Sequence, residues 1–302
     1  MRQMFTEAFG ETFGQTVRQC GRGTIGGAMS FVLSAIFAVA LGVVSCAGNI
    51  SIAAEPKAVT FPMDDLVLHG DLAKPDGAGP FPAVLWNHGG GSPAPGSNRY
   101  DASSVLGELF SGHGYVLFIP HRRGYGRSPR HALVDQFRAE KQIEARNKLQ
   151  LELMDIHMRD VTGAIQYLEK LPFVDQNRIA VAGWSYGGSL TVFAAERNLP
   201  IRAAVNCAGG ALSWKQSPDL RERMLRSVRA ARVPIYLIQA ENDYDLNPSR
   251  ALAHEMEQAK KPHQLKIFPA HGSSAREGHD FCVSGGKVWE SEVFSFLDRT
   301  TQ

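Results

Sequence analysis

Residues 178–188, RIAVAGWSYGG, are the stretch that decides the fold. The run from Ile179 to Ala182 is apolar without polar alternation, which is typical of a strand buried on both faces. It leads into a Gly-x-Ser-x-Gly pattern formed by Gly183, Ser185 and Gly187, and then into a helical stretch. A turn this tight requires flanking residues without side chains. The pattern predicts that Ser185 is a nucleophile raised above the edge of a sheet, and a purely structural glycine turn is the alternative.

The same alternation of apolar runs and helical stretches continues on both sides of this segment. The predicted strands are Lys57 to Met63, Leu66 to Ala73, Ala83 to Trp86, Tyr115 to Ile119, Ile179 to Ala182, Ala203 to Val205, Pro234 to Ile238 and Gln264 to Phe268. Strands that alternate with helices indicate an α/β fold, with a mostly parallel central sheet and helices on both faces. Residues 130–152 are charged and helical in pattern; a surface helix is the favoured interpretation, and a small cap insertion over a pocket is the alternative.

Composition excludes several classes of protein. The chain has 302 residues and a formal net charge of +2, which argues against nucleic acid as a partner. Its four cysteines form no C-x-x-C pair, which excludes a disulfide scaffold and a zinc finger. For Cys207 and Cys282 we expect two free buried thiols, with a disulfide as the alternative in an exported protein. No residues have convincing metal-ligand spacing, and we expect no metal and no cofactor.

The N-terminal region predicts export. Residues 25–44 are uncharged and apolar and follow Arg18 and Arg22, which is the pattern of a secretory signal. The stretch around Cys46 resembles the bacterial lipobox, in which the cysteine becomes the lipidated first residue. A plain cleaved signal, an uncleaved signal anchor and a buried helix are the alternatives. We therefore predict a leader or membrane anchor with linker over 1–54, and one domain over 55–302 that lies in the periplasm or attached to the membrane.

Three further motifs accompany the serine turn: PAVLWNHG at 82–89, RRGYGRS at 122–128 and VDQNR at 174–178. With these motifs, the chain from Val59 onward resembles the α/β-hydrolase superfamily and its dienelactone hydrolase-like branch. The enzymes that name this branch use a cysteine nucleophile, whereas this chain carries Ser185. The resemblance therefore implies an α/β-hydrolase fold and a general serine esterase rather than a dienelactone hydrolase in the strict sense.

The resemblance also implies where the oxyanion of the reaction would be bound. It assigns one backbone N–H donor to the loop His88-Gly-Gly-Gly91 and the other to Tyr186, the residue after the nucleophile. Gly90 is the first choice for the loop donor and Gly91 the second. A phosphate-binding loop is the alternative, but it requires Gly-Lys-Ser/Thr, which is absent here. His88 is expected to brace the loop rather than act as the base.

The order of the triad along the chain in this fold is serine, acid, histidine. After Ser185, the acid is predicted to be Asp243, on the loop that follows a buried strand, and Asp245 is the rival. Of the later histidines we favour His279 over His271, because His279 lies in a loop just before the final amphipathic helix, where the resemblance places the base.

The predicted function is hydrolysis of a small-molecule carboxylic ester. Ser185 would attack, His279 would transfer the proton, Asp243 would orient His279, and an acyl-enzyme would be released by water. An oligopeptidase with the same triad is one alternative, although such relatives usually carry a large N-terminal domain. A lactone hydrolase and a non-catalytic binding scaffold are the others.

Overall fold

Eight strands of the described chain form a single sheet in the order β1-β2-β4-β3-β5-β6-β7-β8. The computed structural model describes residues 55–91, 93–97 and 100–301. The strands are β1 Lys57–Met63, β2 Leu66–Ala73, β3 Phe81–Asn87, β4 Val116–His121, β5 Val174–Trp184, β6 Ala203–Cys207, β7 Ile235–Ala240 and β8 His263–Phe268. β1 and β2 form the predicted antiparallel hairpin, and β2 runs antiparallel to β4. From β4 to β8 all neighbouring strands are parallel, as predicted.

Helices connect the strands and cover the sheet. They are α1 Ser103–Gly112, α2 Ala132–Ala139, α3 Ile143–Glu169, α4 Tyr186–Glu196, α5 Pro218–Arg229, α6 Asn247–Gln258, α7 Ala275–Ser284 and α8 Gly286–Thr300. The strands β4, β6 and β7 are buried at every residue. Because both faces of these strands are covered, most of their side chains are apolar without alternation, which explains the pattern seen in the sequence.

Two apolar layers lie on the two sides of the sheet. One layer includes Leu85, Val181 and Leu190, and the other includes Trp86, Ala182 and Phe281. Neighbouring residues of one strand thus belong to different layers, because successive side chains point to opposite faces. The parallel strands bring their carboxyl ends to one edge of the sheet, where the loops after β3, β5 and β7 meet. This edge is where a ligand is expected in an open α/β sheet.

The chain divides after Gly48 into two units, and all described residues belong to the second. The predicted signal, lipobox cysteine Cys46, anchor and linker over 1–54 lie outside the described residues. Within the part of the chain that the structure describes, none of the helices is long and apolar enough to cross a membrane. The boundary at residue 54 and the attachment to a membrane remain predictions.

Candidate active site

Ser185 occupies a sharp turn between β5 and α4. Its backbone has φ 58° and ψ −120°, a left-handed region that a residue with a side chain seldom adopts. Its N–H donates to the carbonyl of Cys207 at 2.9 Å, which fixes the turn to the neighbouring strand β6. A Cβ at Gly183 would lie 2.6 Å from the carbonyl carbon of Gly187, so the turn needs glycine there. Backbone strain of this kind is concentrated at active sites.

Gly187→Ala is expected to lower the free energy of unfolding by about 3 kcal/mol, the upper end of the usual cost of overpacking. The added Cβ would lie 2.6 Å from the carbonyl oxygen of His88 and would also meet that of Asn87, and neither backbone group can turn away. Urea denaturation measures the change. Gly112→Ala is the matched control, since a Cβ there meets nothing within 4 Å. Equal stability of the two variants would contradict the tight packing of the turn.

Of the three predicted triad residues, His279 lies within hydrogen-bond distance of both Ser185 and Asp243. His279 Nε2 is 2.9 Å from Ser185 Oγ, and His279 Nδ1 is 2.8 Å from Asp243 Oδ1. Since a carboxylate can only accept, Nδ1 carries the proton and Nε2 is free to accept one from the serine hydroxyl. Gln239 Nε2 donates to Asp243 Oδ2 at 2.8 Å, and the Tyr244 N–H donates to Oδ1 at 2.6 Å. These bonds fix the carboxylate in the orientation that holds the imidazole.

The rival residues lie elsewhere. Asp245 Oδ1 accepts from the N–H of Asn247 at 3.0 Å, so it forms the turn before α6. The ring of His271 is 2.8 Å from Ser284 Oγ through Nε2 and does not enter the triad.

The segment that carries His279 differs from the prediction. The sequence predicted a loop, whereas His279 lies on the short helix α7. The Ser274 side chain accepts from the Glu277 N–H, and the Glu277 carboxylate accepts from the Ser274 N–H, which forms a capping box. The Ser-x-x-Glu pattern of this box is present in the sequence and signals a helix start. This pattern alone is sufficient to predict the start of α7.

Two side chains outside the predicted set hold α7 in place. Trp184, next to the nucleophile, donates its indole N–H to the carbonyl of His279 at 2.7 Å. Asn242, next to the acid, donates to the carbonyls of His271 and Ser274 at 3.0 and 2.9 Å. No sequence pattern identifies these contacts, since each joins segments far apart in the chain.

The predicted oxyanion donors lie beside Ser185. A Cβ on Gly90 would lie 3.3 Å from the Cβ of Tyr186, so these two backbones approach closely, whereas Gly91 faces open space. Tyr186 is the first residue of α4, where backbone N–H groups have no acceptor within the helix. This placement favours Gly90 over Gly91 as the loop donor.

Residues 68–296 match the family model of the dienelactone hydrolases. The chain belongs to the dienelactone hydrolase family. It is therefore a hydrolase, and it has the α/β-hydrolase fold.

Similar solved structures include esterases and peptidases, and similar curated proteins include a dipeptidyl peptidase. An acylaminoacyl peptidase from Pyrococcus horikoshii aligns with a TM-score of 0.60 at 22% identity, over 82% of this chain and 42% of that one. An esterase from Pyrococcus furiosus aligns with a TM-score of 0.58 at 16% identity, over 82% of this chain and 94% of that one. Human dipeptidyl peptidase 8 is 24% identical over an alignment of 258 residues that covers 76% of this chain and 27% of that protein. The chain thus spans about a quarter of this curated relative, and the structural likeness shows the fold.

A buried arginine holds the loop from His88 to Gly91. Arg122 donates to the carbonyls of His88 and Gly89 at 3.0 and 3.1 Å and to His88 Nδ1 at 3.0 Å. It thus satisfies two buried backbone carbonyls. Burial and the Arg122 guanidinium hold the pKa of His88 well below its ordinary value. His88 therefore remains neutral and braces the loop.

Tyr186 is fixed by a histidine that the sequence did not single out. Its hydroxyl is 2.9 Å from His157 Nδ1, and His157 Nε2 is 3.2 Å from the carbonyl of Arg123. Because the carbonyl can only accept, Nε2 carries the proton and the tyrosine hydroxyl donates to Nδ1. Burial and the nearby Arg122 hold the pKa of His157 well below its ordinary value.

A cavity of about 720 Å³ opens over Ser185. Its lining from residues 130–152 consists of Phe137, Arg138, Ile143, Arg146, Asn147 and Gln150. The favoured prediction of a plain surface helix is therefore wrong: α2 and the start of α3 form the small cap. The sequence could not decide this, because a cap and a surface helix share the same charged, amphipathic pattern. Within the described ranges, His, Cys, Asp and Glu form no group that could hold a metal ion.

The prediction of free thiols at Cys207 and Cys282 is also wrong. The two residues form a disulfide with a Cα–Cα distance of 6.1 Å across 75 positions of sequence. Both side chains are buried, Cys207 at the end of β6 and Cys282 on α7. The packing of α7 against the end of the sheet brings the two cysteines together. Their spacing in the sequence does not indicate this pairing.

Proposed function

We propose that this protein is a serine hydrolase of carboxylic esters, with Ser185 as nucleophile, His279 as general base and acid, and Asp243 as the residue that orients His279. The observation that carries the proposal is the continuous chain of hydrogen bonds from Asp243 Oδ1 through His279 to Ser185 Oγ, at 2.8 and 2.9 Å. A nucleophile, a base and an orienting acid within such distances are the signature of this chemistry.

The reaction follows from these positions. Ser185 Oγ attacks the ester carbonyl while His279 Nε2 takes its proton, and the negative charge forms on the carbonyl oxygen beside the N–H groups of Gly90 and Tyr186. His279 then returns the proton to the leaving alcohol, and an acyl-enzyme remains on Ser185. Water, deprotonated by the same imidazole, attacks the acyl carbon and releases the acid. Each step uses groups of the chain itself.

The charge of the cavity favours an ester over a peptide with a free N-terminus. Its lining includes the three guanidinium groups of Arg138, Arg146 and Arg276, and Asp280 is the sole Asp or Glu among the described lining residues. An aminopeptidase or a dipeptidyl peptidase must bind the cationic amine of a free N-terminus, which this lining would repel. A neutral or anionic acyl or alcohol group suits the same lining. An oligopeptidase that does not bind a free N-terminal amine is unaffected by this argument and is the second candidate.

The double variant Arg138→Gln/Arg146→Gln is expected to raise the KM for an aryl ester with a terminal carboxylate by about fivefold, because each exposed cation is worth at most about 1 kcal/mol. Both residues line the cavity. The KM for the neutral ester of the same length should stay unchanged. Lys148→Gln, an exposed position of α3 absent from that lining, is the control. An equal change of KM for both esters would contradict charge recognition.

A fluorophosphonate probe tests the proposed function. We expect a single covalent adduct that peptide mapping places on Ser185, together with hydrolysis of aryl esters faster than that of aminoacyl amides. Faster cleavage of the amides would establish the oligopeptidase instead. A folded protein that neither reacts with the probe nor turns over an ester would establish a binding scaffold.

Export through the N-terminal region is a separate proposal. It is supported by the Cys207–Cys282 disulfide, since such bonds persist in oxidising compartments and are rare in the cytosol. Fractionation of cells that express the full chain tests it, and the mass of the mature N-terminus distinguishes lipidated Cys46, a plain cleaved signal and an uncleaved anchor. Recovery in the cytoplasm with intact residues 1–54 would contradict it.

A further inference from the structure

Cys207 contacts the nucleophile turn through its backbone and the helix of the base through its side chain. Its carbonyl accepts the N–H of Ser185 at 2.9 Å. Its sulfur is bonded to Cys282, which lies on α7 one turn after His279. The disulfide thus links the turn that carries Ser185 to the helix that carries His279. These are the two residues between which the proton would move.

The other contacts of α7 with the site lie mainly at its start. Asn242 binds the residues around the N-cap, His271 and Ser274, and Trp184 binds the carbonyl of His279. These are hydrogen bonds to backbone groups, whereas the bond at Cys282 is covalent and lies in the buried second half of the helix. A rotation of α7 about its anchored start would move the His279 ring away from Ser185. The disulfide opposes this rotation.

We propose that the Cys207–Cys282 disulfide positions His279 against Ser185 and thereby sets the rate of acyl transfer. The inference rests on the proposed function. The two cysteines are positioning residues, since they touch neither substrate nor reacting atoms. Small displacements matter because a shift of about 1 Å in a reacting group can cost a factor of about 100 in rate.

The variants Cys207→Ala, Cys282→Ala and the double variant test the proposal in the full-length protein. We expect kcat for an aryl ester to fall about tenfold, with KM within twofold of wild type, and the fluorophosphonate labelling rate of Ser185 to fall in parallel. The three variants should be equally impaired, because each removes the same single bond and their effects cannot add. The pH profile of kcat/KM should also shift, since His279 loses its fixed contacts with Asp243.

A stability-matched variant separates positioning from general stabilisation. Leu68→Ala truncates a fully buried side chain on β2, a strand near the other end of the sheet. We expect it to lower Tm but to leave kcat, the labelling rate and the pH profile at wild-type values when all proteins are assayed well below their Tm. Cysteine variants that lose Tm but keep kcat and labelling within twofold would overturn the proposal.

A measurement without substitution covers the case in which the alanine variants fold poorly. Wild-type protein is treated with dithiothreitol, which breaks the S–S bond to two thiols and becomes a cyclic disulfide itself, and alkylation with mass analysis counts the thiols. We expect the same loss of kcat and its recovery on reoxidation. Unchanged kcat after reduction would overturn the proposal, and so would peptide mapping that finds Cys207 and Cys282 alkylated in protein that was never reduced. Wild-type protein that is not labelled at Ser185 would instead overturn the proposed function, and this inference with it.

Discussion

Ser185→Ala is expected to lower kcat for ester hydrolysis by about 10⁴- to 10⁶-fold and to abolish labelling by the fluorophosphonate, while KM changes little. The hydroxyl supplies the atom that attacks the carbonyl, and nothing else within reach of His279 Nε2 does so in the described site. The residual rate reflects substrate binding and the oxyanion donors alone. Steady-state kinetics and intact mass measure both effects.

The triad residues should act as a unit. The double variant Ser185→Ala/His279→Ala is expected to be no slower than Ser185→Ala, because the base has no function without its nucleophile. Ser189→Ala is the matched control, since Ser189 lines the same cavity on the same helix without contacting His279 in the triad. A Ser185→Ala variant that retains more than a tenth of the wild-type kcat would contradict the assignment of the nucleophile.

Arg122→Met should produce the largest loss of stability among single changes near the site, about 3–5 kcal/mol of unfolding free energy. The guanidinium is completely buried and donates to three acceptors, the carbonyls of His88 and Gly89 and the ring of His88. Methionine fills similar space but donates nothing, so these acceptors are left buried and unpaired. The oxyanion loop should loosen, and kcat/KM should fall along with stability.

Urea denaturation of Arg122→Met measures the loss of stability, and steady-state kinetics on the folded fraction measure the fall in kcat/KM. Arg159→Met is the matched control: its guanidinium is 57% exposed and pairs with Asp64 at 2.7 Å, and an exposed ion pair contributes at most about 1 kcal/mol. A loss in Arg122→Met no greater than in this control would refute the structural role of Arg122.

The catalytic elbow illustrates what a local pattern can predict. A strand, a turn and the start of a helix follow one another over 178–188. Because each depends on residues close in sequence, β5, the turn at Ser185 and α4 can be predicted without a structure. The hairpin of β1 and β2 was predictable for the same reason, whereas the order of the strands in the sheet came from the structure. The Ser-x-x-Glu pattern of Ser274 and Glu277 also marks the start of α7 in the sequence.

Contacts between segments that are distant in the chain could not be predicted from the sequence. The cap over 130–152 has the composition of a surface helix, and only its position above Ser185 distinguishes the two. The Cys207–Cys282 bond spans 75 positions and depends on where α7 packs. His157, Trp184 and Asn242 likewise act through partners that no spacing rule connects to them.

The sequence by itself determined the fold class, the nucleophile turn and a short set of candidates for acid and base, because buried strands, tight glycine turns and helix starts leave local patterns. The tertiary structure decided which acid and which histidine meet Ser185, which helices cover the cavity and which cysteines pair. Those choices depend on distances of about 3 Å between side chains from separate strands and helices, such as the 2.8 Å from Asp243 to His279. Such distances exist only once the whole sheet has assembled.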